Sequence, residues 1–135
     1  MITALLICIV AIAAAAVCSA MMDKLWFHFD RSIWADKPGY FYDPKKSWKN
    51  KYKDGDQAKG PRFPGATTWL VSLTDAWHLA KKGLNAAMAL LPAFWLKDAG
   101  SLLWWHTVLL WIGAQVFFGL VFSLFFDRIF AQKKD

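Results

Sequence analysis

Two uninterrupted apolar runs constrain this chain more than anything else in it. Ile2 to Ala20 reads ITALLICIVAIAAAAVCSA, and Ser101 to Phe126 reads SLLWWHTVLLWIGAQVFFGLVFSLFF. A bilayer core of roughly 30 Å takes about 20 apolar helical residues to cross. Both runs meet that requirement, and both are hydrophobic all round, unlike a helix with one face in water. The expected fold class is an all-α integral membrane protein. The first run ends in the small residues Cys18-Ser19-Ala20, as a signal peptide can. It has no Lys or Arg ahead of it, so it reads as an uncleaved anchor. Cys8 and Cys18 are ten residues apart on that helix, about 15 Å along its axis, too far for a disulfide.

Charge organises the rest. Ten of the sixteen Lys and Arg lie in residues 21–65 and three more follow Phe126, against Lys97 alone in the short turn before the last run. A second crossing helix, from 66 to 96, would put both basic regions on one side. The bias of basic residues toward the cytoplasm then places the N-terminus outside. Six segments follow: a first transmembrane helix (1–22), a basic aromatic segment (23–65), a second helix (66–96), transmembrane or partly interfacial, an outer turn (97–100), a third transmembrane helix (101–127) and a tail (128–135). Thr67 or Thr68 is the expected cap of the second helix, after Pro64-Gly65. Pro92 is expected to weaken or kink it. Residues 21–65 hold four of the five prolines and read as turn-rich and extended. The nine tryptophans fit the layout, since Trp26, Trp69, Trp95, Trp104 and Trp105 fall near the two expected interfaces.

The stretch TDAWHLAKKGLN, 74–85, is unusual for a membrane helix. On an α-helix Ser72, Asp75, His78, Lys82 and Asn85 share one face, with Leu70, Leu73, Trp77, Ala80, Leu84, Ala87 and Leu91 on the other. Three readings stay open. The stripe can be buried against other helices as structural glue. It can face water on an amphipathic surface helix. Or it can be a site for protons, ions or a metal, because ionisable groups in a membrane are costly. The candidate polar site is Asp75, His78, Lys82 and Asn85. The candidate metal set is His28, His78 and Asp75, two histidines and a carboxylate suited to zinc or iron. Lys81 and Lys82 would oppose a bound cation there. Haem between His78 and His106 is disfavoured, because the hairpin puts them roughly 20 Å apart in depth. Gly119-x-x-x-Ser123 is a small-residue pair of the kind that lets helices approach. No nucleophile motif, phosphate loop or Cys–His zinc spacing is present.

Lys45, Lys46, Trp48, Lys49, Lys51, Tyr52, Lys53 and Arg62 form a basic, aromatic surface suited to anionic lipid headgroups or to a partner protein. Nucleic acid shares the charge signature but lacks a supporting module here. The run SWKNKYKDGDQAKGPRFPGATTWLVSLTDAWH, 47–78, resembles a group of small bacterial membrane proteins. These carry a similar aromatic-basic stretch leading into a Thr-rich helix with Asp and His. The resemblance implies a bacterial or phage origin and no activity. The expected function is a non-enzymatic subunit of a homo- or hetero-oligomeric assembly in the bacterial inner membrane. The alternative is an ion- or proton-handling protein or a metalloenzyme centred on Asp75, His78 and His28.

Overall fold

The computed structural model describes residues 2–98 and 104–131. It is built on three long helices: α1 (Ile2–Phe27), α4 (Ala76–Asp98) and α5 (Trp104–Ser123). Between α1 and α4 lie two single-turn helices, α2 (Gly39–Tyr42) and α3 (Pro44–Ser47), and a series of 3-10 turns. A π-helical turn, Leu124–Ile129, extends α5. Among the described residues the only β pairing is two isolated bridges, Ser32 with Ala131 and Tyr52 with Pro61. The all-helical expectation holds, and two segments, Leu5–Phe27 and Val108–Ile129, are long and apolar enough to cross a membrane.

The second helix differs from its expected bounds. It begins at Ala76, ten residues later than expected, and runs through Pro92 to Asp98. Residues 66–74 are instead held by short i→i+3 bonds, such as Leu73 N–H to Leu70 C=O and Thr74 N–H to Val71 C=O. The reason is a stronger cap downstream. Asp75 offers its carbonyl to Leu79 N–H at 3.1 Å and its carboxylate to His78 N–H at 2.8 Å, the two bonds that define an N-cap. Thr67 and Thr68 therefore cap nothing in α4. With 23 residues, α4 is about 34 Å long. The segment expected to be extended is largely short helical turns. Of the outer turn expected at 97–100, Lys97 and Asp98 are the last residues of α4, and 99–100 lie outside the described residues.

α1 is the central element and packs along both α4 and α5. It runs antiparallel to α4: Trp26 meets Trp77 at 5.9 Å between ring centroids, and Cys18 lies against Gly83. Small residues make this close approach possible. Ala11, Ala15, Ala16 and Ala20 are buried on α1, and Ala76, Ala80 and Ala87 on α4. A Cβ added at Gly83 would stand 2.9 Å from Cys18 Sγ. Gly119, by contrast, has no described neighbour within 4 Å of its Cβ position.

The core sits at one end, where α1 and α5 finish and α4 starts. Ala20, Leu25, Trp34, Ala76 and Phe130 are buried there, with Phe29, Phe41, Tyr42, Trp77, Phe122, Phe125 and Phe126 packed around them. Fully burying a side chain such as Leu25 is worth roughly 1.5–3 kcal/mol where the alternative is water. Ser32 fastens the turn that delivers Trp34: its Oγ donates to Phe29 C=O at 2.7 Å and accepts from Trp34 N–H at 3.2 Å. Ile33 N–H donates to Phe130 C=O at 3.1 Å and ties this turn to the end of the chain. We call residues 28–75 with this cluster the base.

Candidate functional site

The polar residues of 74–85 separate into two groups. Asp75 is 2% exposed and belongs to the cap. Thr74, also buried, donates its hydroxyl to Val71 C=O at 2.7 Å and lies 3.2 Å from Asp75 Oδ2. His78 Nδ1 stands 2.7 Å from Asp75 Oδ2 and 2.9 Å from Oδ1. An ionised carboxylate only accepts, so Nδ1 carries the proton in this contact and Nε2 is left for other chemistry. His78 is held on its other side by Trp77, edge to face at 5.0 Å. The Asp75–His78 pair is thus a carboxylate-oriented imidazole and a helix cap at once.

Lys82 and Asn85 point elsewhere and are exposed. Lys82 Nζ donates to Trp69 C=O at 3.4 Å, and Lys81 Nζ lies 5.1 Å over the Trp77 ring. The buried face of α4 is the alanine face, so Lys82 and Asn85 are not glue against the other long helices. Ser72 is buried, but in the 3-10 turn Val71–Leu73 ahead of the helix. The helical stripe expected over 72–85 is shortened, because Ser72 precedes the cap and Asp75 forms it.

His28 is exposed at the end of α1, with its ring edge-on to Phe126 at 5.4 Å. Among the described residues no three His, Cys, Asp or Glu side chains gather closely enough to hold a metal ion. The set of His28, His78 and Asp75 is therefore not assembled. Asp75 turns its carboxylate to its own helix, and His28 packs on Phe126 in the π-helical turn after α5. His106 lies near the start of α5, twenty residues and about 30 Å from the end where Phe126 sits.

The basic aromatic residues do share a region. Trp48 and Tyr52 pair edge to face at 6.2 Å, with Lys49 Nζ 5.8 Å from the Trp48 ring and Lys51 Nζ 5.5 Å from the Tyr52 ring. Asp43 caps α3 by accepting from Lys45 N–H at 2.9 Å, and it pairs with Lys46 at 3.5 Å. A loop closed by Lys53 N–H to Gly60 C=O and Arg62 N–H to Lys51 C=O presents Lys53 and Arg62 outward. The Lys59–Asp54 pair across it is exposed on both sides and adds little.

Asn50 is a residue that pattern reading passes over. Its amide donates to Thr74 C=O at 2.9 Å and to Tyr40 C=O, and so joins α2 to the start of α4. Nothing in WKNKY marks that role. The Asp75 cap did have a signal: a helix-capping residue followed three positions later by a polar partner at the start of an apolar helix. Compared with known proteins, the chain matches no family model, no curated protein and no solved structure.

Proposed function

We propose that this is a small, non-enzymatic protein of the bacterial inner membrane, an accessory subunit of a homo- or hetero-oligomeric assembly that presents its base to anionic lipid headgroups. The observation that carries this reading is at one end of the long helices. Exposed indoles at Trp26, Trp48 and Trp69 accompany exposed lysines at 37, 45, 46, 49 and 53. Beside an anionic surface each such cation is worth about 1 kcal/mol, and indole rings favour headgroup depth. In this reading α4 is the second of three spans, the N-terminus is outside and the base is cytoplasmic. The bonded polar groups of the base support a structural role for it. Ser32, Asp43, Asn50 and Asp75 are engaged in caps and turn bonds rather than converging on a cleft. The exposed flank of α5, with Ile112, Val116 and Leu120, offers a packing surface to another helix.

Mild-detergent extraction followed by mass measurement tests the subunit role. We expect an oligomer or a copurifying membrane protein, and a melting temperature raised more by phosphatidylglycerol than by phosphatidylcholine. A monomer indifferent to both lipids would overturn the reading.

A second reading, proton handling, is favoured by one contact, the 2.7 Å approach of His78 to a buried carboxylate. It requires that Asp75→Asn abolish proton flux in reconstituted vesicles while leaving the helical content intact.

A further inference from the structure

Lys24 is 7% exposed, on the last turn of α1 beside the fully buried Leu25. A lysine is rarely this buried unless an anion accompanies it. Among the described residues none does. Asp23, its neighbour in sequence, makes no ion pair with it, and Asp127 accepts a hydrogen bond from Ser123 Oγ at 2.9 Å instead. The ammonium rests on an aromatic face, with Nζ 4.3 Å from the centroid of Phe126. That contact supplies no hydrogen-bond acceptor; the stem is buried while the ammonium itself reaches the surface, where an outside acceptor can meet it.

The surroundings say what would complete it. Lys24 is three residues from the end of the apolar segment Leu5–Phe27, and Phe126 three from the end of Val108–Ile129. If both segments cross the bilayer, the ammonium stands at headgroup depth. The exposed ring of His28 abuts the same Phe126 and can add a second donor. A compact, multiply accepting anion fits an ammonium that no described carboxylate accompanies, and at headgroup depth phosphate is the abundant one.

We propose that Lys24, with His28 beside it over Phe126, is a binding site for the phosphate of one anionic phospholipid, distinct from the exposed lysines of the base. The inference rests on the membrane reading above and deepens it: the exposed lysines attract anionic lipid in general, and Lys24 retains a single molecule.

The test is native mass spectrometry of the full chain in mild detergent, titrated with phosphatidylglycerol or phosphatidylcholine. Wild type should keep one phosphatidylglycerol tightly and phosphatidylcholine weakly. Lys24→Met keeps the length of the stem and removes the charge, and it should weaken that first site about tenfold, the size of one charge-assisted hydrogen bond. Lys24→Arg should retain it. His28→Gln, at an exposed position that cannot unfold the core, should weaken it about threefold and covers the case in which Lys24→Met fails to fold. The triple variant Lys45→Gln, Lys46→Gln, Lys49→Gln should lose the later, weaker lipids and keep the first. If the triple variant behaves so while Lys24→Met and His28→Gln bind the first lipid like wild type, the site assignment is wrong and the broader reading stands. If no variant changes lipid binding, both are wrong. Displacement of the lipid by an equal concentration of inorganic phosphate would make this a free-anion site and overturn the lipid assignment. So would an acidic protein segment copurifying on Lys24.

Discussion

The seam between α1 and α4 and the base beneath it are held by opposite means. The seam is made of what is missing: alanines, a cysteine and Gly83, whose lack of a side chain lets Cys18 approach. The base is made of large rings and of polar groups in fixed geometry, with Trp34, Phe126 and Phe130 packed around turns tied by Ser32, Asn50 and Asp75. In the proposed membrane reading, lipid around α1 and α4 supplies no hydrophobic force between them, so close contact and dispersion must supply the attraction. In the same reading the base faces water, where burial itself contributes and hydrogen bonds choose which of many compact arrangements is kept. The seam should therefore be sensitive to volume and the base to polarity.

The largest effect is expected at the seam. Gly83→Leu puts a branched side chain where even a Cβ meets Cys18 Sγ, and it should cost about 3 kcal/mol, the upper end of ordinary overpacking. Thermal unfolding in detergent reads this directly. Adding Cys18→Ala should recover part of the loss, because the two sites touch. The same Cys18→Ala should recover nothing in a variant of the base. If recovery is equal in both, the two regions are not independent and the contrast fails.

At the base, Asp75→Ala should cost about 2 kcal/mol, since it removes an N-cap and leaves the His78 amide and ring without their acceptor. Asp75→Asn keeps an acceptor for the amide and should cost less than about 1 kcal/mol. The ratio of the two, taken from denaturation midpoints, sharpens the choice between cap and proton site. A structural cap tolerates Asn, and a proton carrier does not. Asn50→Ala comes next, at about 1 kcal/mol, through the lost bond to Thr74. A Gly83→Leu chain more stable than the Asn50→Ala chain would reverse the order on which the contrast rests.

How much of this was legible in the sequence follows the same division. The two apolar helices were, because twenty apolar residues in a row allow few other outcomes. The basic aromatic character of 23–65 was legible too, as composition. Its fold was not: Asn50 reaching Thr74 across twenty-four positions leaves no local trace. The start of α4 was misread by ten residues because Thr67 and Thr68 follow a Pro-Gly pair and resemble a cap. Asp75, with two bonds into the helix, holds the real one. Periodicity alone then carried Ser72 onto a helix face it never joins. Helical spacing also said nothing of Lys24, because its cover comes from Phe126, about a hundred positions away in the sequence.

The smallest effect on folding, and the one that reaches furthest toward function, is expected on α5. Gly119→Leu fills a position with no described neighbour within 4 Å, on a helix flank where Val116 and Leu120 are exposed. Within the chain it should change stability by no more than about 0.5 kcal/mol, as for substitutions that touch nothing. Between chains it should matter, because a small-residue pair lets another helix come close and a leucine holds it off. Seam and base variants lower the melting temperature. Gly119→Leu should leave it in place and lower the mass measured in mild detergent. A variant with unchanged mass would move the assembly surface off this face of α5. A variant that loses both mass and stability would mean that α5, like α1, depends on neighbours for its fold, so that the separation of fold from assembly does not hold for this helix.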